Sequence, residues 1–152
     1  MDWNQSTREA RDPMHASYPV MAGDFTIAGN ASSQIKRTLK QLDVPPLTIK
    51  RIVVATFEAE VNVIAHSYGG EVICDIEPDK VVVQVVDTGP GIPDLELAMT
   101  EGYSTASDEL REMGYGAGMG LPNIKKNSDK LDIYTAAGDH THITMTFMLG
   151  GA

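Results

Sequence analysis

Residues 80–86 read KVVVQVV, a nearly continuous run of β-branched side chains. Such a run suits a pleated strand far better than a helix, and a strand this apolar calls for burial on both of its faces. A chain that contains it must build a sheet around it and cover that sheet with apolar side chains. Asp87-Thr88-Gly89-Pro90-Gly91 follows at once. Two readings stay open for that segment. It is a tight turn closed by an Asx cap, or a place where glycine lets backbone approach a ligand closely while the aspartate accepts a hydrogen bond from an exocyclic amine.

The flanking patterns supply the rest of the architecture. Residues 1–16 are polar and without periodicity, the pattern of a loosely held tail, so the expected domain spans 17–152. Tyr18–Ile27 reads as a short strand pair turning at Ala22-Gly23-Asp24. Asn30 or Ser32 offers an N-cap to a helix carrying Ile35, Leu39 and Leu42. Asp43-Val44-Pro45-Pro46 ends it, because proline disfavours helical geometry in the residue before it. A second helix is expected from Thr48 to about Tyr68, stopped by Gly69-Gly70. Glu71–Glu77 and Lys80–Val86 flank Pro78-Asp79 as a hairpin. Residues 88–120 are dense in glycine and proline, Leu121–Lys130 suits a short helix, and Leu131–Thr135 with Thr141–Leu149 forms a second hairpin. The order β-α-α-β-β-loop-α-β-β predicts an α+β, two-layer sandwich: one mixed, mostly antiparallel sheet covered on one face by helices.

Composition narrows the function classes. The chain has 152 residues, the length of one domain, and 42% hydrophobic residues, ordinary for a globular chain. Its single cysteine, Cys74, excludes an internal disulfide framework and a cysteine-based zinc site. No apolar run approaches the roughly 18 residues of a membrane span, and the N-terminus has no apolar core of a signal peptide. A cytoplasmic protein without membrane contact is the expectation. The net charge of −9 argues against direct nucleic-acid binding. That charge is uneven, +2 over residues 1–56 and −11 over the remainder. Acidic residues between 94 and 112 contribute much of it, as a solvated loop or as a contact surface for a protein.

Three clusters can carry chemistry. Glu58 and Asn62 are four residues apart, one turn above each other on a helix face that His66 continues. A carboxylate and an amide so placed can orient a hydroxyl and bind a hydrated Mg²⁺, or form an ordinary solvated face. The second cluster is the Asp87–Gly91 segment. The third is Gly114-Tyr115-Gly116-Ala117-Gly118-Met119-Gly120 ahead of a helix, where freed backbone N–H groups form an anion site or a flexible loop. It is neither a Walker A loop nor a dinucleotide fingerprint, lacking GK[ST] and a strand directly before it.

In this order, E-x-x-x-N, D-x-G-x-G and G-x-G-x-G together resemble the Bergerat-fold ATP-binding proteins, the superfamily of gyrase, Hsp90, histidine kinases and MutL. FEAEVNVIAHSYGG and GAGMGLPNIKK most resemble the small serine/threonine kinases of bacterial sigma-factor control, the anti-sigma factors and stressosome switch kinases. The resemblance covers residues 18–149. It implies ATP and Mg²⁺ as cofactors, Glu58 as general base and Asn62 as Mg²⁺ ligand. It implies Asp87 as reader of the adenine amine, with Gly89 and Gly91 admitting the ring. Gly116, Gly118, Met119 and Gly120 correspond to the phosphate-contacting end of a lid, and Thr141 to a threonine beside the aspartate, although His140 replaces the usual glycine before it.

The departures lie around the lid. Tyr103-Ser104-Thr105-Ala106 lacks the lysine of the family's F-T-T-K, and Gly116 stands where some relatives carry arginine. Lys125 and Lys126 are candidates to compensate. The implied function is phosphorylation of a serine or threonine on a STAS-type antagonist or stressosome scaffold, regulating sigma-factor-dependent transcription by partner switching. A sigma factor or phosphatase is a further implied partner, and the Tyr18–Ile27 strand a possible homodimer edge. The alternative is a module that binds nucleotide and sequesters a partner without transfer. A detached histidine-kinase domain is a third reading, but no helix is free to present a phospho-accepting histidine, and His15 in the tail is no substitute.

Overall fold

The computed structural model describes residues 13–91, 99, 120–136 and 138–149. In chain order the elements are β1 (Met14–Val20), a 3-10 turn (Phe25–Ile27), α1 (Asn30–Gln41), α2 (Pro46–His66), β2 (Gly70–Ile76), β3 (Lys80–Asp87), α3 (Gly120–Asn127), β4 (Lys130–Thr135) and β5 (Thr141–Met148). The strands form one sheet in the order β1-β2-β3-β5-β4. The α+β two-layer architecture expected from sequence is present. All four described pairings are antiparallel, so the sheet is not mixed among the described strands.

Alternation along the strands builds the core. Val72, Cys74 and Ile76 of β2, Val81, Val83 and Val85 of β3, and Ile143, Met145 and Phe147 of β5 are buried on one face. Ile35 and Leu39 of α1, Ile52, Ala55 and Ala59 of α2, and Ile124 of α3 belong to the same core cluster. The opposite face is wetter. There the Gln84 Oε1 of β3 accepts from the His142 Nε2 at 2.8 Å, and His15 pairs with Asp75. The expected two-sided burial of β3 is therefore not found: Val82, Gln84 and Val86 are half-exposed, because helices cover one face only.

The N-terminal expectation also changes. Tyr18–Ile27 is not a strand pair. β1 begins at Met14, within the segment expected as tail, and pairs with β2 from Met14↔Ile76 to Val20↔Gly70. The second half becomes a 3-10 turn because the Asp24 carboxylate accepts the Thr26 N–H at 3.1 Å, an Asx cap that competes with strand geometry. Helix α2 starts at Pro46 rather than Thr48, since proline is well tolerated at the first helical position. Its far end closes where Gly70 begins β2. A Cβ there would lie 2.2 Å from the Val86 carbonyl oxygen, so only glycine lets the two strands meet.

Helix α1 has Gly29 in the left-handed region as its N-cap and no capping side chain of its own. The carboxylate of Glu60, on α2 and 1% exposed, accepts the Ala31 and Ser32 N–H groups instead, at 3.1 and 3.3 Å. Arg51 of α2 bonds the Asn127 carbonyl and the Asp129 carboxylate, and Asp129 also accepts the Met148 N–H. These bonds tie α2 to the end of α3 and to β5. No helix among the described residues is long and apolar enough to cross a membrane.

Candidate active site

Helix α2 presents Glu58 and Asn62 one turn apart, as the spacing requires. Both are half-buried. Burial raises the Glu58 carboxyl above the ordinary glutamate range, and a hydrogen bond with the Asn123 side chain of α3 acts in the opposite direction. Asn62 meets the start of the same helix, one turn before Asn123. A Cβ on Gly120 would lie 3.2 Å from the Asn62 Oδ1 and 3.3 Å from its Nδ2, so the first residue of α3 rests against this amide. The carboxylate, the amide and the helix N-terminus, whose first N–H groups have no partner within the helix, thus converge. His66 is the last residue of α2, two turns beyond Glu58 and exposed.

Asp87 ends β3, and its Oδ1 accepts two backbone N–H groups, from Gly89 and from Thr141, each at 2.9 Å. Thr141 opens β5 and is 4% exposed, with its hydroxyl 2.8 Å from that of Thr135. Asp87 Oδ2 receives no hydrogen bond from a described residue, which leaves an oriented acceptor at the strand end. The predicted closeness of Thr141 to Asp87 is therefore present.

Gly89 and Gly91 take positive φ of 116° and 82°. What crowds them is the chain itself. A Cβ on Gly91 would lie 2.0 Å from the Ala136 carbonyl oxygen, and one on Gly89 would lie 3.1 Å from that of Asp139. The Gly138 N–H donates to the Pro90 carbonyl at 2.7 Å. These glycines seat the β4–β5 turn. The Tyr68 N–H donates to the Gly89 carbonyl at 2.9 Å, which brings this segment to the end of α2.

Other sequence candidates fall differently. Gly116, Gly118 and Met119 lie outside the described residues, as do 103–106. Lys125 and Lys126 are exposed in the last turn of α3, roughly 8 Å along the helix from Gly120. They do not share the end that touches Asn62. Among the described residues no group of three or more His, Cys, Asp or Glu could hold a metal ion. The donor set suits a hydrated Mg²⁺ that takes one protein ligand and shares a polyphosphate. Glu60 and Asn123 were missed from sequence. Glu60 follows a candidate carboxylate by two positions and carries no pattern that marks it as buried.

The histidine kinase-like ATPase domain family matches residues 24–147. The chain is 32% identical over 115 residues to the anti-sigma F factor of Thermoanaerobacter sp. (strain X514), covering 72% of this chain and 77% of that one. It is 29% identical over 118 residues to the serine/threonine-protein kinase RsbT of Bacillus subtilis (strain 168), covering 74% and 83%. Among solved structures, it resembles that of the RsbU and RsbW domains of Rv1364c from Mycobacterium tuberculosis, with a TM-score of 0.58 and 19% identity. That match covers 90% of this chain and 32% of the other, and at such identity it is a likeness of fold.

Proposed function

Given that this chain belongs to the histidine kinase-like ATPase domain family, we propose that it is an ATP- and Mg²⁺-dependent protein serine/threonine kinase of the anti-sigma-factor or switch-kinase type. Its substrate would be a STAS-type antagonist or scaffold protein, and transfer would switch partners in the control of a sigma factor. The observation that carries this reading is the meeting of Glu58, Asn62 and Gly120 at one end of α3.

Each residue has a defined task in it. Bound ATP with Mg²⁺ supplies the transferable phosphoryl group. Glu58, made more basic by burial, accepts the proton of the attacking hydroxyl. Asn62 would offer its amide oxygen to the cation, and Asp87 Oδ2 would accept from the adenine amine. The N–H groups at the start of α3 would hold the phosphates. Catalysis of this class is chiefly positioning and charge stabilisation, which suits a site fastened by backbone bonds. Phosphorylation adds nearly two negative charges to the substrate, enough to reverse a protein contact.

Transfer of labelled phosphate from ATP to a STAS-domain protein tests the reading. Glu58→Gln is expected to abolish transfer and leave ATP affinity within about twofold, as expected for a proton acceptor that acts only in the transition state. Unchanged transfer by this variant would sink the kinase assignment. Transfer absent from both proteins, with ATP still bound, would leave the nucleotide-dependent binding module as the function.

A further inference from the structure

A groove of about 580 Å³ opens between α1 and the first turns of α2, on the helical layer. Val44, Val53 and Val54 line it together with the Asp43 carboxylate, and Lys36, Lys40 and Lys50 stand around it, three cations to one anion. Lys36 and Lys40 are one turn apart on α1, and Lys50 faces them from α2. All three are exposed, and no ion pair joins any of them to a described residue. Leu47, which follows the lining residue Pro46 in sequence, is 78% exposed, the most open of the large hydrophobic side chains described. An apolar trough with cationic banks in a chain of net charge −9 is a local inversion of the surface.

From this we infer that the α1–α2 groove docks an acidic amphipathic helix of a partner protein. The apolar face of that helix lies along Val44, Val53 and Val54, and its carboxylates meet the three lysines. Helix-in-groove recognition requires these two features together: an apolar channel for the anchors and charges that fix orientation. A nucleic acid would use the lysines but has no apolar stripe for the trough, and the net negative charge opposes a polyanion. The groove lies on α2 at least one turn before Glu58, outside the proposed active site, and does not depend on a bound nucleotide.

The test uses the full chain and a fluorescent, short synthetic helix with a leucine face bordered by glutamates. Saturable binding is expected, weakened roughly tenfold or more in Lys36→Glu/Lys40→Glu/Lys50→Glu and by added salt. Val53→Asp, checked for native circular dichroism, should weaken it comparably through the apolar floor. ADP affinity should be unchanged in the triple variant, so loss of peptide binding is separable from failure of the nucleotide site. Absence of saturable binding, equal binding by the triple variant, tighter binding of a peptide with lysines replacing the glutamates, or preference for duplex DNA would each overturn the inference.

Discussion

The Asp87 Oδ1 accepts the Thr141 backbone N–H at 2.9 Å, joining the end of β3 to the start of β5 across 54 positions of sequence. The same oxygen accepts the Gly89 N–H, so it belongs to the scaffold, and the other oxygen, which takes no hydrogen bond from a described residue, is the one the proposed function assigns to recognition.

This division of labour predicts that two substitutions will differ. Asp87→Asn keeps an oxygen for both N–H groups and exchanges the second acceptor for a donor. Its unfolding free energy should stay within about 1 kcal/mol of wild type, while adenine-nucleotide affinity falls at least roughly tenfold. Asp87→Ala should lose the affinity and also about 1–3 kcal/mol of stability, from two orphaned N–H groups. Calorimetric titration and urea unfolding of both variants check the pair.

The raised Glu58 carboxyl predicts the pH dependence of transfer. The base must be ionised, so the rate should fall on acidification with a midpoint above the ordinary glutamate value. Asn123→Ala removes the hydrogen bond that opposes the shift, and its acid limb should move to still higher pH. The effect on stability has the opposite sense. A carboxyl whose folded pKa is raised favours the folded state most at low pH, and that contribution is lost as pH rises through the raised value. Glu58→Gln should therefore flatten the stability profile in this window as it removes activity. A rate profile with the same midpoint in Asn123→Ala would refute the coupling.

Glu60 is a structural counterpart to Glu58. Its buried carboxylate holds the Ala31 and Ser32 N–H groups at the start of α1, which has no other side-chain cap. Glu60→Ala should cost about 3 kcal/mol, the cost of a lost cap with buried donors left unpaired. Glu60→Gln, which keeps one acceptor oxygen, should cost clearly less. Equal denaturation midpoints for the alanine variant and wild type would contradict the capping role.

Gly120→Ala probes the contact between α3 and Asn62. Its methyl group would press within 3.2–3.3 Å of both amide atoms, and the amide must give way by a few tenths of an ångström. Mg²⁺-dependent ATP affinity is expected to drop roughly tenfold, with a smaller change in binding measured without the metal. An identical drop under both conditions would remove Asn62 from the cation site.

Sequence patterning made the sheet and helices legible because period and punctuation agree there. The alternation in β2, β3 and β5 and the breaks at Pro45-Pro46 and Gly69-Gly70 carry local physical causes. Long-range hydrogen bonds were not legible. Nothing in DFTI tells that Asp24 will cap its own neighbour and replace a strand by a 3-10 turn. The residues 58–62 of α2 read EAEVN, and spacing alone cannot tell that Glu60 turns inward to α1 while Glu58 stays at the site. The contact of Gly89 and Gly91 with the turn at Ala136 and Asp139 is set by tertiary structure and carries no mark in the sequence.

The pairing of β3 with β5, from Lys80↔Met148 to Val86↔His142, has a consequence for the order of assembly. On a growing chain, β3 can close its hairpin with β2 almost at once, but its other edge waits for about 60 more residues, a slow, non-local closure. Until β5 arrives, Asp87 has no Thr141 to hold it and the Gly91 seat has no hairpin to receive. The proposed nucleotide pocket is thus a product of late folding. A ligand that binds only the finished domain stabilises it by mass action, so under the proposed function ATP is a clamp on the completed sheet, not a template for making it.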